Sequence, residues 1–209
     1  MEEPGKQHYV AGDDRRTAIA AAARALIAEH GFEGLRMREI AERIGINIAT
    51  LHYHVPSKAA LVELLAQSLR DDFMAQHAAN PRDGLSPRER LLLEIDEFEE
   101  TVRGNPGLHI VYRELVNRAA RDETVRTIIS PLSRHWRDQI AAILSAGRAD
   151  GSFRADLDPQ SGATIVIGAL IQYSRECRTQ HVDFAPLRAE LLRSVSTPGA
   201  PRPDERKTA

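Results

Sequence analysis

Cysteine is nearly absent: Cys177 stands alone in 209 residues, so no disulfide can close within the chain and a reducing cytoplasm is the expected setting. No apolar run approaches the roughly 18 residues that a membrane-spanning helix requires. The chain opens Met1, Glu2, Glu3, Pro4, acidic and polar where a secretory leader has a basic flank and an apolar stretch. Neither insertion nor secretion is expected. Net charge is only −2, which argues against nucleic acid as the partner of the whole surface. There is no H-E-x-x-H, C-x-x-C, Gly-rich phosphate loop or nucleophile elbow. Glu and His do not cluster at the i, i+3 spacing of di-iron bundles either. Catalysis, a metal centre and a cofactor are therefore not expected. Strand-like alternation and internal repeats are also missing. What remains, with 42% hydrophobic residues and repeated helical spacing, reads as an all-α protein with a real core.

The informative stretch runs from Arg36 to Lys58, R-M-R-E-I-A-E-R-I-G-I-N-I-A-T-L-H-Y-H-V-P-S-K. Met37, Ile40, Ala41 and Ile44 recur at i, i+3, i+4 and i+7 and share one face of a short helix. Gly45 follows, where helices commonly end in the left-handed conformation. Asn47 offers a side-chain oxygen to the free N–H groups of a second helix, which must end near Val55 because Pro56 disfavours helical geometry before it. Two short helices joined by about three residues make a helix-turn-helix. On the second helix Leu51 and Val55 face inward, Tyr53 points almost directly opposite, and Ala49 and Thr50 lie beside it. Such a small, uncharged, aromatic face suits a DNA major groove, where thymine methyls and base edges meet Ala, Thr and aromatic groups. His52 and His54 flank it, and being two apart on a helix they diverge too far to hold one metal. Between Arg15 and Lys58 seven basic residues stand against four acidic ones, a modest local excess.

Preceded by M-R-E-I-A and by an Ala-rich helix ending H-G-F, this run resembles the N-terminal domain of the TetR-type bacterial transcriptional repressors over roughly Asp14 to Leu65. That family usually has Tyr where His52 stands, often Phe at Val55, and commonly Thr or Ser at Arg36. Here Arg36 is expected to trade a hydroxyl cap for a phosphate contact. The resemblance implies a three-helix DNA-binding domain, a larger helical domain enclosing a ligand cavity, and a homodimer through the last two helices.

Elsewhere, residues 1–12 lack periodicity and are expected to be a disordered arm. Asp13 or Asp14 would cap a helix carrying Ile19, Ala22, Ala23, Leu26 and Ile27 up to Gly31. Arg15 and Arg16 are either a solvated first turn or DNA-backbone contacts. Ser57 caps a helix with Leu61, Leu65, Leu69 and Phe73 inward, and Ser86 another with Leu91, Ile95, Phe98 and Val102 inward. Glu94, Glu97 and Glu100 read as a solvated acidic face rather than a cation site. Leu108, Val111, Tyr112 and Leu115 follow, then a long stripe from Val125 to Leu144 that Pro131 should kink or divide. The helix after Asp158 and Pro159 is apolar on nearly every side, so part of it needs cover from a partner. A last helix spans about Asp183 to Val195.

These readings place a DNA-binding domain at 13–58, a ligand-binding and dimerisation domain at 59–196, and a disordered tail at 197–209. Ile48, Ala49, Thr50 and Tyr53 are expected to read bases with Arg38, while Arg36, Asn47, His52, His54 and Lys58 hold the DNA backbone. His109, Tyr112, Arg113, Trp136, Gln172, Tyr173 and Cys177 are candidate contacts for an apolar or amphipathic small molecule. Ile165, Ala169, Leu170, Leu187 and Leu191 are candidate dimer contacts. The expected function is a repressor that leaves a pseudo-palindromic operator when a small ligand binds. The alternative is a helical DNA-binding protein whose second domain takes a protein partner and no metabolite.

Overall fold

In the computed structural model the described residues are 4–177 and 182–197, with side chains described from residue 14 onward. They form nine helices: α1 (Pro4–Gly34), α2 (Met37–Arg43), α3 (Ile48–His54), α4 (Lys58–Ala79), α5 (Pro87–Gly104), α6 (Pro106–Ala119), α7 (Glu123–Ala149), α8 (Pro159–Glu176) and α9 (Phe184–Val195). The all-α reading stands, with one isolated antiparallel bridge between Phe153 and Ser196. Most starts are set by a side chain three residues upstream of the amide it holds. Asn47, Ser57 and Asp158 accept from the N–H groups of Thr50, Ala60 and Ser161 at 2.7, 3.1 and 2.8 Å. Ser86 and Glu89 make a reciprocal capping box, Ser86 N–H to Glu89 Oε2 at 2.8 Å and Glu89 N–H to Ser86 Oγ at 3.3 Å.

Two boundaries differ from expectation. Residues 4–12, read as an arm, are continuous with α1, so Asp13 and Asp14 lie inside a helix and not at its start. The break at Gly31 is real, however: its φ of 72° and ψ of 170° end the straight run of α1. Pro131 lies inside α7 and does not divide it. Residues 1–3, the segment 178–181 and all of the tail beyond Thr197 lie outside the described residues.

The chain forms two compact units, 1–80 with 104–133 and 81–103 with 134–209, a division different from that drawn at residue 58. In the first, α1 is the central element, packing on α2, α3, α4 and α6. Its Ile19, Ala22, Ala23, Leu26 and Ile27 are all buried, together with Leu51 and Val55, Leu61, Leu65 and Leu69 of α4, and Leu108, Val111 and Leu115 of α6. Helices α4 and α6 thus share one core with the helix-turn-helix, because small alanines on α1 let neighbours approach it from several sides.

The second unit buries Leu91, Ile95, Phe98 and Val102 of α5 against Ile140 and Leu144, Val166 and Leu170, and Leu191, Leu192 and Val195. Gly147 makes room for Phe153: a Cβ there would fall 2.0 Å from the ring. The acidic face of α5 is not simply solvated. Arg82 Nη2 reaches Glu94 at 2.9 Å and Glu97 at 2.6 Å in a largely buried cluster, with Glu97 only 7% exposed. Burial of these carboxylates is eased because one guanidinium hydrogen-bonds both and offsets part of their charge. Asp96 pairs with Arg188, tying α9 to α5 at 2.5 and 2.8 Å.

Candidate nucleic-acid interface

Helix α2 begins at Arg36 without a side-chain cap. The Arg36 guanidinium instead turns back on the end of α1, donating to the carbonyls of Glu33 at 2.7 Å and Leu35 at 3.3 Å. The turn after α2 is a Schellman motif: Gly45 at φ 69° donates to Glu42 O at 3.2 Å, and Ile46 to Ala41 O at 3.0 Å. Only a residue free of Cβ adopts that φ without strain, and this fixes the angle at which α3 departs.

Helix α3 then divides cleanly. Leu51 and Val55 are 0% exposed, whereas Tyr53 is 83% and Ile48 39% exposed. Ala49 and His52 are exposed, and Thr50 and His54 half-buried. The Tyr53 and His54 rings meet edge to face at 5.2 Å. No acidic side chain lies on α3. Arg36, Arg38, Asn47 and Lys58, in the segments that precede and follow it, are exposed. Asn47 spends its side-chain oxygen on the cap, leaving its amide N–H groups for another acceptor. Lys58 extends its ammonium over the Phe32 ring at 4.8 Å.

Several residues act through position, and sequence reasoning did not find them. Arg16 Nη1 donates to His54 O at 3.2 Å, closing the C-terminal end of α3, a role different from either one expected of it. Arg24 bridges α1 to α4 through Ser68 at 3.0 Å and Asp72 at 2.6 Å. Arg43 grips both Glu29 oxygens at 2.6 and 2.9 Å, and that hydrogen-bonded guanidinium holds the Glu29 carboxyl below the usual carboxylate range. Their partners lie too far away in sequence for any local pattern to signal them.

The residues expected to contact a ligand do not gather in one unit. His109 and Tyr112 are buried in the first, with Arg113 half-buried beside them. Tyr112 Oη donates to Ser133 Oγ at 2.8 Å, and burial pushes its phenol pKa up. Phe73 lies 6.2 Å from the His109 ring and 6.4 Å from that of Tyr112. In the second unit Trp136 stacks on Phe98 at 5.7 Å and Tyr173 packs on Phe184 at 4.8 Å. Cys177 is half-buried with its Sγ 3.8 Å from Ser174 O. Gln172 is exposed and bonded to Glu176, which turns it to the helix surface instead of inward. Of the residues expected at a dimer interface, Ile165 is 60% exposed and Ala169 and Leu187 are half-buried. Leu170 and Leu191 are already buried in the chain's own core, so their apolar surface is not available to a partner. Among the described residues no helix is long and apolar enough to cross a membrane, and no group of three or more His, Cys, Asp or Glu side chains is placed to hold a metal ion.

The family model described as "Bacterial regulatory proteins, tetR family" matches residues 19–65, the segment that holds most of α1, all of α2 and α3, and the start of α4. The HTH-type transcriptional repressor KstR2 of Rhodococcus jostii is 29% identical over 144 residues, 69% of this chain and 70% of that protein. Among solved structures, a TetR-family transcriptional regulator from Agrobacterium tumefaciens superposes with a TM-score of 0.77 at 24% identity, covering 89% of this chain and all of that one. AibR, solved in complex with isovaleryl coenzyme A and operator DNA, superposes with a TM-score of 0.72 at 23% identity over 87% of this chain and 98% of its own. Residues 19–65, with the capped, outward-facing α3, thus match the TetR-family N-terminal domain, and the chain as a whole is similar to TetR-family helix-turn-helix transcription regulators in sequence and fold.

Proposed function

We propose that this protein is a homodimeric repressor that binds a pseudo-palindromic operator and is released by an apolar or amphipathic small molecule. The observation that carries the reading is the two-sidedness of α3, with Leu51 and Val55 buried and Ile48, Ala49 and Tyr53 exposed. In a major groove Ile48, Ala49, Thr50 and Tyr53 meet base edges and thymine methyls, and Arg38 reaches in from α2. Asn47, His52, His54 and Lys58 hold phosphates. Arg36 joins them by releasing the α1 carbonyls it now caps. Residues 13–58 form the reading domain in this account, and 59–196 carry ligand binding and dimerisation.

Dimerisation is supported by α8, whose Ile165 stands exposed beside Ser161, Thr164 and Gly168 while Ala163, Val166 and Leu170 face the core. KstR2 is named a repressor, and AibR has been solved with both an acyl-CoA and operator DNA, which supports a repressor that answers to a small molecule. His109, Tyr112, Arg113, Trp136, Tyr173 and Cys177 remain the residues proposed for ligand contact. Release requires only that the ligand prefer the non-binding form by about 1 to 3 kcal/mol, a 5- to 150-fold loss of affinity.

The test is selection of binding sites from random duplex DNA at physiological salt, then titration of the selected duplex against a scrambled control. A two-fold symmetric motif bound about 10³-fold better than the control is the expected result. No enrichment, with protein that has been unfolded, stripped of small molecules and refolded, would overturn the reading.

A further inference from the structure

The segment that leads from α1 into α2 is fastened from the side by α6. Phe32 is buried, and its main-chain N–H donates to Glu114 Oε2 at 3.4 Å. One helical turn further along α6, Arg118 pairs with Glu33 and is itself held by Asp122 at 3.2 Å. Glu114 and Arg118 are four apart, so both side chains leave the same face of α6. Immediately before Phe32, Gly31 sits in the left-handed region at φ 72°. A Cβ there would lie 3.6 Å from Glu114 Oε2, so the backbone angle and not lack of space calls for glycine.

The other side of this segment carries groups that face DNA in the reading above. Lys58 lies over the Phe32 ring at 4.8 Å, and Arg36 donates to the carbonyls of Glu33 and Leu35. The same three residues, Phe32, Glu33 and Leu35, therefore touch α6 or the cations that flank α3. A shift of α6 along its axis would move the Phe32 amide, and with it the ring under Lys58 and the carbonyls under Arg36.

We propose that Glu114 and Arg118 are positioning residues for DNA binding, a two-point latch through which α6 sets the placement of Lys58 and Arg36 against the operator backbone. This rests on α3 being the DNA-reading helix. The latch acts on register and not on overall charge, so it governs the selected sequence far more than random DNA.

The test uses the full chain and the selected duplex. Glu114→Ala removes the acceptor for Phe32 N–H, whereas Glu114→Gln keeps an oxygen in its place. Glu114→Ala is expected to weaken binding of the selected duplex about 5- to 20-fold, within the usual range of coupling between sites. Binding of random duplex should change less than about 2-fold, and amide exchange should quicken at residues 32–36. Glu114→Gln should restore both to within about 2-fold of the parent. Equal losses for Ala and Gln, equal losses on both duplexes, or faster exchange without any change in affinity would overturn the latch. Should Glu114→Ala not fold, charge reversal decides: Glu33→Arg weakens binding, and adding Arg118→Glu restores it if the pair positions the reader and fails to restore it if not. A parent protein with no preference for any duplex overturns the reading of α3 itself, and that outcome is seen before any variant is made.

Discussion

Two helices present an exposed face poor in charge, and they differ in what surrounds that face. On α3 it consists of Ile48, Ala49 and Tyr53, with exposed His52 beside them and the exposed cations Arg36, Arg38 and Lys58 in the segments just before and after. On α8 it runs through Ser161, Thr164, Ile165 and Gly168 to Gln172, and a charged side chain is reached only at Arg175 near the helix end. An uncharged exposed patch by itself says only that something covers it. The rim says what does: cations around an aromatic and methyl-rich centre suit a polyanion with apolar groups in its groove. Small uncharged residues around one branched aliphatic suit a second helix packed closely.

The comparison can be broken most severely on α8. Ile165→Arg puts a charge into the proposed helix contact and is expected to yield monomers by sedimentation, with operator affinity reduced about 10² to 10⁴-fold as two linked readers become one. A dimer that persists would move the interface elsewhere. Next comes the in-and-out division of α3. Leu51→Ala should cost about 2 to 5 kcal/mol in denaturant unfolding, because Leu51 is wholly buried. Tyr53→Ala should change stability by less than about 0.5 kcal/mol while lowering affinity for the selected duplex by about 1 to 3 kcal/mol. A loss spread evenly over all sequences would mean that Tyr53 touches only backbone.

Smaller still, Lys58→Ala should weaken selected and random duplexes alike and lower the salt slope by about one per subunit. The smallest effects are expected from the exposed carboxylates. Glu29 is lowered by its hydrogen bond from Arg43, Glu89 by Ser86, Asp122 by the Val125 amide and Asp158 by Ser161. A depressed folded-state value means the stabilisation is present above the ordinary carboxylate range and is lost as pH falls through the folded values. Thermal midpoints should accordingly hold near neutral pH and decline below about pH 4. No such decline would show that these caps and pairs add nothing measurable.

Much of the helical order was legible because its causes are local. Asn47, Ser57 and Asp158 each cap an amide three residues on, and Gly45 ends α2 for a reason contained in its own backbone. Helical spacing likewise named the buried positions of α1, α3, α5 and α6. Spacing did not fail at Leu170 and Leu191, which it marked as apolar. It could not tell which apolar surface the chain itself covers. At the N-terminal end, weak periodicity was read as absence of helix, whereas residues 4–12 continue α1.

Glu94 and Glu97 show the limit most plainly. As part of an acidic run they look solvated, whereas Arg82, brought in from the preceding loop, pairs with both where they are buried. The same holds for Arg16 with His54, Arg24 with Asp72 and Phe32 with Glu114, pairs separated by 38, 48 and 82 residues. By itself the sequence determined helix type, the capped helix starts, the inward faces of α1, α3, α5 and α6 and the outward position of Tyr53, since all of these follow from contacts within about one turn. Tertiary structure alone decided which charged side chains serve as ties around α1, which carboxylates are buried and which face of α8 stays open. Those outcomes depend on which distant segments meet, and a one-dimensional pattern carries no distance between them.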